Sequence, residues 1–231
     1  MAWKAFITGH PLDLDLIAEQ FDRGRVIVRR DGEDSWMEST DFEGLSEAGD
    51  VQRLALSMLQ ELNGAAKLID GSYRSVELTN GFRDGDRPRI ILASAHIEFR
   101  SRVTATGEVH RSDGTLVETA PESLTRGPAY LDVASLDANV RQVLKMLGSD
   151  FAGWMTLYKV YEVIRDDGDP ASWATKAEYR AFTGSANHPV VSGPAGRHVR
   201  APSSSPPKRT MTIDEARAFI QRVARAWISS K

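Results

Sequence analysis

Hydrophobic and polar positions in the first half of the chain predict strands separated by two helices. Residues 3–8 (WKAFIT) and 25–30 (RVIVRR) have the composition of short strands. Asp31-Gly32 is a hairpin turn signal that would return the chain through residues 35–39. Between the first two strands, apolar residues recur at helical spacing over residues 12–21.

The longest helical pattern of this half runs over residues 51–69, with Asp50 as its expected N-cap. Strands are expected again at residues 73–79 and, after a tight polar loop at residues 81–88, at residues 90–109. In that last stretch apolar and charged residues alternate regularly, which is typical of a half-buried antiparallel strand pair. These elements predict a mixed, mainly antiparallel sheet with one long helix.

Further along the chain the period of the apolar residues becomes helical. A helix is expected to start at Asp132 or Ser135, with Leu136 on its apolar face, and to end at Gly148. Residues 150–169 follow as a helix that is apolar nearly all round, although their β-branched and aromatic residues also permit a strand.

Two more helices are expected before the chain ends. Residues 172–186 form the first, broken near Gly184, and a capping box of Thr212 and Glu215 opens the last. The proline- and serine-rich residues 201–209 between them are typical of an extended linker.

Length and composition fit this α+β interpretation. The 231 residues are 41% hydrophobic and 26% charged, and we expect a sheet domain at residues 1–120 and a helical bundle at residues 121–231. The chain has no cysteine, which excludes disulfides, thiolate nucleophiles and Cys-ligated zinc. An early acidic stretch and apolar runs far shorter than the roughly 20 residues of a membrane span predict a cytoplasmic protein without membrane contact.

Charge is distributed unevenly along the chain. Residues 1–118 carry a net charge of −7, residues 119–195 carry −2, and residues 196–231 carry +6. A basic C-terminal end could bind RNA or another polyanion, or it could dock against the acidic N-terminal half of the same chain.

Candidate chemistry is concentrated in a polar stretch rich in glycine and proline at residues 182–200. It contains Asn187, His188, Arg197 and His198 and no acidic residue. In a functional interpretation Arg197 grips an anion while His198 moves a proton near neutral pH. In a structural interpretation these side chains hydrogen-bond a loop onto the neighbouring helices.

Lys159 and Glu162 are polar residues within the helix expected at residues 150–169. They can form a local ion pair, or Glu162 can act as a buried base or orient a histidine. The two histidines of the polar stretch lie ten residues apart without a carboxylate between them, so we expect no metal site. Motifs of nucleotide hydrolysis, nicotinamide chemistry and α/β-hydrolases are absent, and we expect no cofactor.

Three segments, LYKVYEVIRDD, FTGSANHP…GPAGRHVR and MTIDEARAFIQRVARAWI, resemble a family of uncharacterised bacterial proteins. That family has an aromatic helix, an AN-x-P segment, a G-x-x-x-RH segment and a final M-x-x-x-EAR helix. The N-terminal stretches ITGHPLDLD and LNGAAKL look similar to it as well. The resemblance covers most of the chain and implies no established activity.

The helical half is also loosely similar to the HEPN superfamily, whose members include metal-independent ribonucleases and dimerising partners in bacterial defence systems. Their active motif is an arginine followed a few residues later by a histidine. Here Arg180 precedes His188 by eight positions and Arg197 directly precedes His198, and both spacings differ from that motif. The resemblance implies Arg197 and His198 as catalytic residues, with Glu162 and Asn187 in support.

Two functions therefore follow from the sequence. The first is a non-catalytic cytoplasmic protein whose helical half binds a protein partner or a second copy of the chain. The second is a HEPN-like ribonuclease that uses Arg197, His198 and Glu162, with Asn187, His188, Lys159 and Arg180 as binding residues.

Overall fold

The structure, a computed structural model, describes residues 3–85, 87–92, 126–149, 153–193 and 209–231. Its architecture is α+β, as the sequence predicts, with an antiparallel sheet in the N-terminal part and helices in the C-terminal part. The expected division at residue 120 lies outside the described residues, and so does the linker expected at residues 201–209, except for Arg209.

Five antiparallel strands form the sheet. They are β1 (Trp3–Thr8), β2 (Val26–Asp31), β3 (Asp34–Ser39), β4 (Glu77–Asp84) and β5 (Ile90–Ile91), in the spatial order β2-β3-β1-β4-β5. The β2–β3 hairpin turns at Gly32, whose φ of 57° lies in the left-handed region that favours glycine. In the centre of the sheet, Phe6 of β1 lies opposite Trp36 of β3.

The described residues also form eight helices. They are α1 (Pro11–Gln20), α2 (Ala48–Ile69), α3 (Arg126–Leu136), α4 (Ala138–Leu147), α5 (Trp154–Asp167), α6 (Lys176–Asn187), α7 (Pro189–Ser192) and α8 (Ile213–Ile228). The capping box of α8 forms as predicted, since Thr212 accepts from the Glu215 amide and Glu215 accepts from the Thr212 amide. Residues 154–167 are helical throughout, which excludes the alternative strand.

One face of the sheet packs against α1 and α2 and supplies the N-terminal part of the hydrophobic core. Because successive side chains of a strand point to opposite faces of the sheet, every second residue of each strand lies on this inner face. Its core members are Trp3, Ala5, Ile7, Val26, Val28, Met37 and Phe82. The same core continues through α3, α4, α5, α6 and α8.

Helices α2 and α4 approach each other closely enough to leave no room for a side chain at two glycines. A Cβ on Gly64 of α2 would overlap the backbone carbonyl of Leu144, and one on Gly148 would overlap the carbonyl of Gln60. Both obstacles are backbone atoms, which cannot rotate away. The two glycines therefore set the distance between the helix that covers the sheet and the helices that follow.

Several expected boundaries were wrong. The long helix begins at Ala48, and Asp50 lies in its first turn instead of capping it. Strand β4 starts at Glu77 and includes Gly81–Asp84, which was expected as a loop. Of the strand pair expected at residues 90–109, the structure describes Ile90–Ile91 as strand and Leu92; residues 93–109 lie outside the described residues.

The helical half contains two further differences. Asp137 caps α4 by accepting from the Asn139 and Val140 amides, so residues 126–147 form two helices. Leu136, expected on the apolar face, falls at the junction and is 91% exposed. Helix α6 continues through Gly184 without a break.

Replacing Gly64 with alanine is expected to destabilise the protein. The added methyl group must push α4 away from α2, which loosens packing on both sides at a cost of about 1–3 kcal/mol. Urea denaturation would show this as a lower midpoint with an unchanged slope.

Gly49→Ala is the matched control in the same helix, because a Cβ at Gly49 meets no atom within 4 Å. Alanine there is expected to leave stability unchanged or raise it by up to about 1 kcal/mol. Equal losses from both substitutions would contradict the role of the close contact between α2 and α4.

Candidate functional site

The helical residues predicted as a site lie on two helices. Lys159 and Glu162 sit one turn apart on α5, with Lys159 exposed and Glu162 half-buried. A hydrogen bond to Asp166 chiefly raises the pKa of the neighbouring Arg165, and Glu162 adds a smaller effect in the same direction. Glu162 thus belongs to a charged group at the solvent side of α5.

Asn187 and His188 lie at the end of α6 instead of in a loop. Asn187 is the last helical residue, and its buried Oδ1 has no hydrogen-bond partner within the described residues. His188 is 5% exposed and joins α6 to α7 through its backbone. Its amide donates to the Ser185 carbonyl, and its own carbonyl accepts from the amides of Val191 and Ser192. The backbone of His188 therefore has a structural role, since it forms the helix junction.

The arginine and histidine pairs differ in what the structure describes of them. Arg180 is exposed on α6, and eight residues of helical rise place it about 12 Å along the axis from buried His188. Arg197 and His198 lie outside the described residues, so their catalytic role stays a prediction.

An aromatic cluster fills the space where α5, α6 and α8 meet. Phe182 stacks on Tyr158 at 6.2 Å between ring centroids and contacts Phe219 of α8 at 5.5 Å. Burial raises the pKa of Tyr179 to about 12, and its hydroxyl has no hydrogen-bond partner within the described residues. The stripe of aromatic residues on α5 is therefore core packing, not an exposed surface.

Three cations in the described part of the basic C-terminal end make contacts within the molecule. Arg222 of α8 pairs with Glu178 at 2.7 Å, and Arg225 donates to the Leu68 carbonyl at 3.1 Å. Lys231 pairs with Asp137 and with Asp167. Most of these acceptors belong to the helical half, so α8 packs chiefly against neighbouring helices and reaches the N-terminal half at Leu68.

One buried carboxylate joins the sheet half to the helices. Glu61 of α2 is 4% exposed and lies 3.4 Å from Lys145 of α4 and 3.9 Å from Arg25. Arg25 also binds Asp41 through two nitrogens, and its hydrogen bond to Asp41 chiefly raises the pKa of the arginine. A buried charge with two cationic partners is satisfied, so this group acts as a structural connection between α2 and α4.

The outer face of the sheet, opposite α1 and α2, carries a group of aromatic and cationic side chains. Phe6 is buried yet does not join the hydrophobic core, because it points to the outer side with Trp36. The two rings lie 6.1 Å apart. The Arg89 guanidinium covers Phe6 at 3.7 Å from the ring centroid, and the Lys4 amine lies 4.6 Å from the Trp36 ring.

Local geometry explains how Arg89 reaches Phe6. Arg89 crosses Gly81, where a Cβ would overlap the guanidinium, and extends to Asp34 at 3.3 Å. Trp36 donates its indole N–H to Glu38 at 2.7 Å. Both aromatic rings that the structure describes on this face are therefore held in place by a charged neighbour.

The complete outer face, as described, is a mixture of charges around two aromatic rings. It was not among the sites predicted from the sequence, although a signal was available, since Phe6 and Trp36 fall on the polar side of their alternating strands. Its charged and aromatic members are Lys4, Phe6, Arg29, Asp31, Asp34, Trp36, Glu38, Glu77, Arg83 and Arg89.

Comparison with protein-family models, curated proteins and solved structures finds no match for this chain. Within the described residues no group of histidine, aspartate and glutamate side chains could hold a metal ion. Across that same part of the chain, no helix has the length and apolar character that crossing a membrane requires.

Replacing Lys231 with methionine is expected to change how stability depends on pH. Hydrogen bonds from Lys231 chiefly lower the pKa of Asp137 and Asp167 below 3.8, so they favour the charged forms in the folded protein. The contribution of these ion pairs to folding stability is fully present above a pH of about 4 and is lost as the pH falls through the lowered pKa values. We expect Lys231→Met to cost about 0.5–1 kcal/mol near pH 6 and little near pH 2.

Urea denaturation between those pH values measures the difference, and Lys231→Arg is the control because it keeps the charge. A loss in Lys231→Met of the same size at both extremes would contradict the ionic role. It would assign the effect to packing of the lysine stem over Trp227, which the amine approaches to 5.2 Å from the ring centroid.

Proposed function

We propose that this protein is a non-catalytic protein-interaction module and that the outer face of the sheet is its contact surface. The observation that carries the proposal is the Phe6–Trp36 pair, which lies off the hydrophobic core and is bordered by arginine and lysine. Aromatic residues and arginine are the side chains enriched where protein interfaces concentrate their binding energy.

The position of these residues supports the proposal as much as their type. Phe6, beneath Arg89, lies on the central strand β1, and the half-buried Trp36 lies on the neighbouring strand β3. Charged residues surround them toward both edges of the sheet. Interfaces are commonly built in this way, with an apolar centre that loses its water and a polar rim that stays partly hydrated. Rings already fixed by charged neighbours also lose little conformational freedom on binding.

The helical half was the expected location of the contact surface, and its described surface offers less. Its exposed large apolar residues, Leu136, Met155 and Val190, lie on three different helices, and single exposed apolar residues are ordinary. The cations of α8 are largely engaged within the chain, as described above. Among the described surfaces, the outer sheet face therefore suits a protein partner better than the helices do.

A photo-reactive amino acid at Arg29, an exposed position beside Trp36, is expected to cross-link a bound protein in cell lysate. Trp36→Ala in the same chain is expected to reduce the adduct at least tenfold, because truncating a central interface tryptophan commonly costs about 2 kcal/mol or more. Gel analysis and mass spectrometry of the adduct measure this dependence.

The same photo-reactive residue at Arg53, an exposed position on α2 away from the sheet, is the matched control. Adducts of equal yield at both positions, or adducts that persist in the folded Trp36→Ala variant, would overturn the proposal. Urea denaturation of Trp36→Ala establishes that the variant is folded.

The HEPN-like ribonuclease is the alternative function, and it rests on Arg197 and His198. Under the present proposal we expect purified protein to cleave RNA no faster than a His198→Ala variant prepared in parallel. Fluorescently labelled single-stranded RNA, incubated without metal ions, provides the measurement. Cleavage that disappears in His198→Ala would replace the interaction proposal with the ribonuclease.

A further inference from the structure

We propose that the occupant of the outer sheet face is a second copy of this chain, so that two sheets pair face to face across a two-fold axis. This inference rests on the proposed function and names its partner. It is carried by the distribution of charge on the face, which differs between the two halves of the sheet.

The β2–β3 half of the face is acidic. Asp31, Asp34 and Glu38 oppose one arginine, Arg29, which leaves a net charge of −2 among the described residues. The half formed by β1, β4 and the residue before β5 is basic. There the three cations Lys4, Arg83 and Arg89 oppose Glu77, which leaves +2.

Such a face is complementary to itself under one particular rotation. A two-fold axis that runs parallel to the strands, between β3 and β1, exchanges the two halves and places the acidic half of each copy over the basic half of the other. The same axis passes between Phe6 and Trp36, so the half-buried Trp36 of each copy lies over the Phe6 of the other, which Arg89 of that copy covers. Strands of the two sheets then run nearly aligned, which is a preferred arrangement for packed sheets.

Register within the sheet specifies one pair of contacts. Ala5 pairs with Met37, so Lys4 and Glu38 are neighbours on the outer side of the adjoining strands, on opposite sides of the axis. Rotation about the axis therefore places Lys4 of each copy opposite Glu38 of the other. The contact occurs twice because the dimer is symmetric.

The balance of charge also favours a protein over a nucleic acid. Four carboxylates on the face would repel a phosphate backbone, and the face as a whole carries no net positive charge. Single-stranded nucleic acids bind to surfaces that combine exposed rings with an excess of cations. Here Phe6 is covered by Arg89 and is 2% exposed, so it offers no free ring surface for a base.

Area sets the expected strength of the dimer. Five strands about 4.8 Å apart and about six residues long, at roughly 3.3 Å per residue, give a face of about 480 Å². Two such faces together bury about 1,000 Å², at the lower end for specific interfaces, which corresponds to a weak and reversible dimer. Its charged contacts make it sensitive to salt.

Sedimentation equilibrium of the full chain between about 1 and 500 μM is expected to show a monomer–dimer equilibrium that weakens on raising salt from about 50 to 500 mM. Lys4→Glu and Glu38→Lys are each expected to weaken the dimer at least tenfold, because each variant places like charges opposite one another twice. Arg53→Glu, a charge reversal of similar kind on α2, is the control and is expected to leave the dimer unchanged.

An equal mixture of Lys4→Glu and Glu38→Lys is expected to recover the dimer, since both contacts between the unlike copies become attractive. The mixture distinguishes a contact between Lys4 and Glu38 of different copies from a contact between the same residues within one copy. A defect within one chain cannot be repaired by another chain. Recovery in the mixture supports the inference, and failure to recover overturns it.

A wild-type chain that stays monomeric over the whole range would also overturn the inference. If the cross-link at position 29 then joins a different protein in a manner that depends on Trp36, the interaction function stands and only the identity of the partner is wrong. If neither dimer nor Trp36-dependent cross-link forms, both proposals fail.

Discussion

The contact between the backbones of α2 and α4 is the constraint on which the rest of the structure depends. Gly64 and Gly148 remove the side chains that would otherwise separate the two helices. Helix α2 can therefore cover the inner face of the sheet while it also packs against α4. Because the buried Glu61 lies between Arg25 and Lys145, the same helix pair carries a charge that both halves of the chain must satisfy. Close packing and buried charge together leave little freedom in how the sheet meets the helices.

Elements whose signals are local could be predicted from the sequence. Strand β1, the hairpin at Gly32, the extent of α2 to Ile69 and the capping box at Thr212 each depend on a few neighbouring residues. Elements fixed by tertiary contacts could not be predicted. Gly184 was expected to break α6, yet the helix continues through it, since packing of Phe182 and Ser185 outweighs the roughly 1 kcal/mol cost of one glycine.

The junction at Asp137 shows how one unrecognised cap changes an interpretation of the surface. The apolar spacing of Leu136 with the residues of α4 indicated one continuous helix, and it placed Leu136 in the core. The Asp137 carboxylate instead accepts two amides and begins a new helix, which rotates Leu136 out of register and exposes it. Periodicity alone does not distinguish these outcomes, because both place Val140, Val143 and Leu144 on the buried side.

The outer sheet face was missed as a candidate site for a related reason. Histidines and a glycine-rich stretch can be recognised in the sequence by their chemistry. The backbone of His188, however, forms a helix junction. An interaction surface has no such chemical signature in one dimension. Phe6 and Trp36 are thirty residues apart and become neighbours only when β1 pairs with β3, and Arg89 joins them only because Gly81 lets it cross β4.

The surface distribution of charge likewise depends on tertiary contacts that the sequence does not show directly. The basic end of the sequence permitted either a polyanion site or docking within the chain, and its described cations Arg222, Arg225 and Lys231 contact neighbouring parts of the same molecule. The cations of the outer sheet face are spread over β1, β2, β4 and the residue before β5, within an N-terminal half of the chain that is acidic overall. A charge pattern that is weak along the chain can thus be organised on a surface, because pairing of strands gathers residues that the sequence separates. The opposite charges of the two halves of the sheet arise in this way, from the order in which the strands lie side by side.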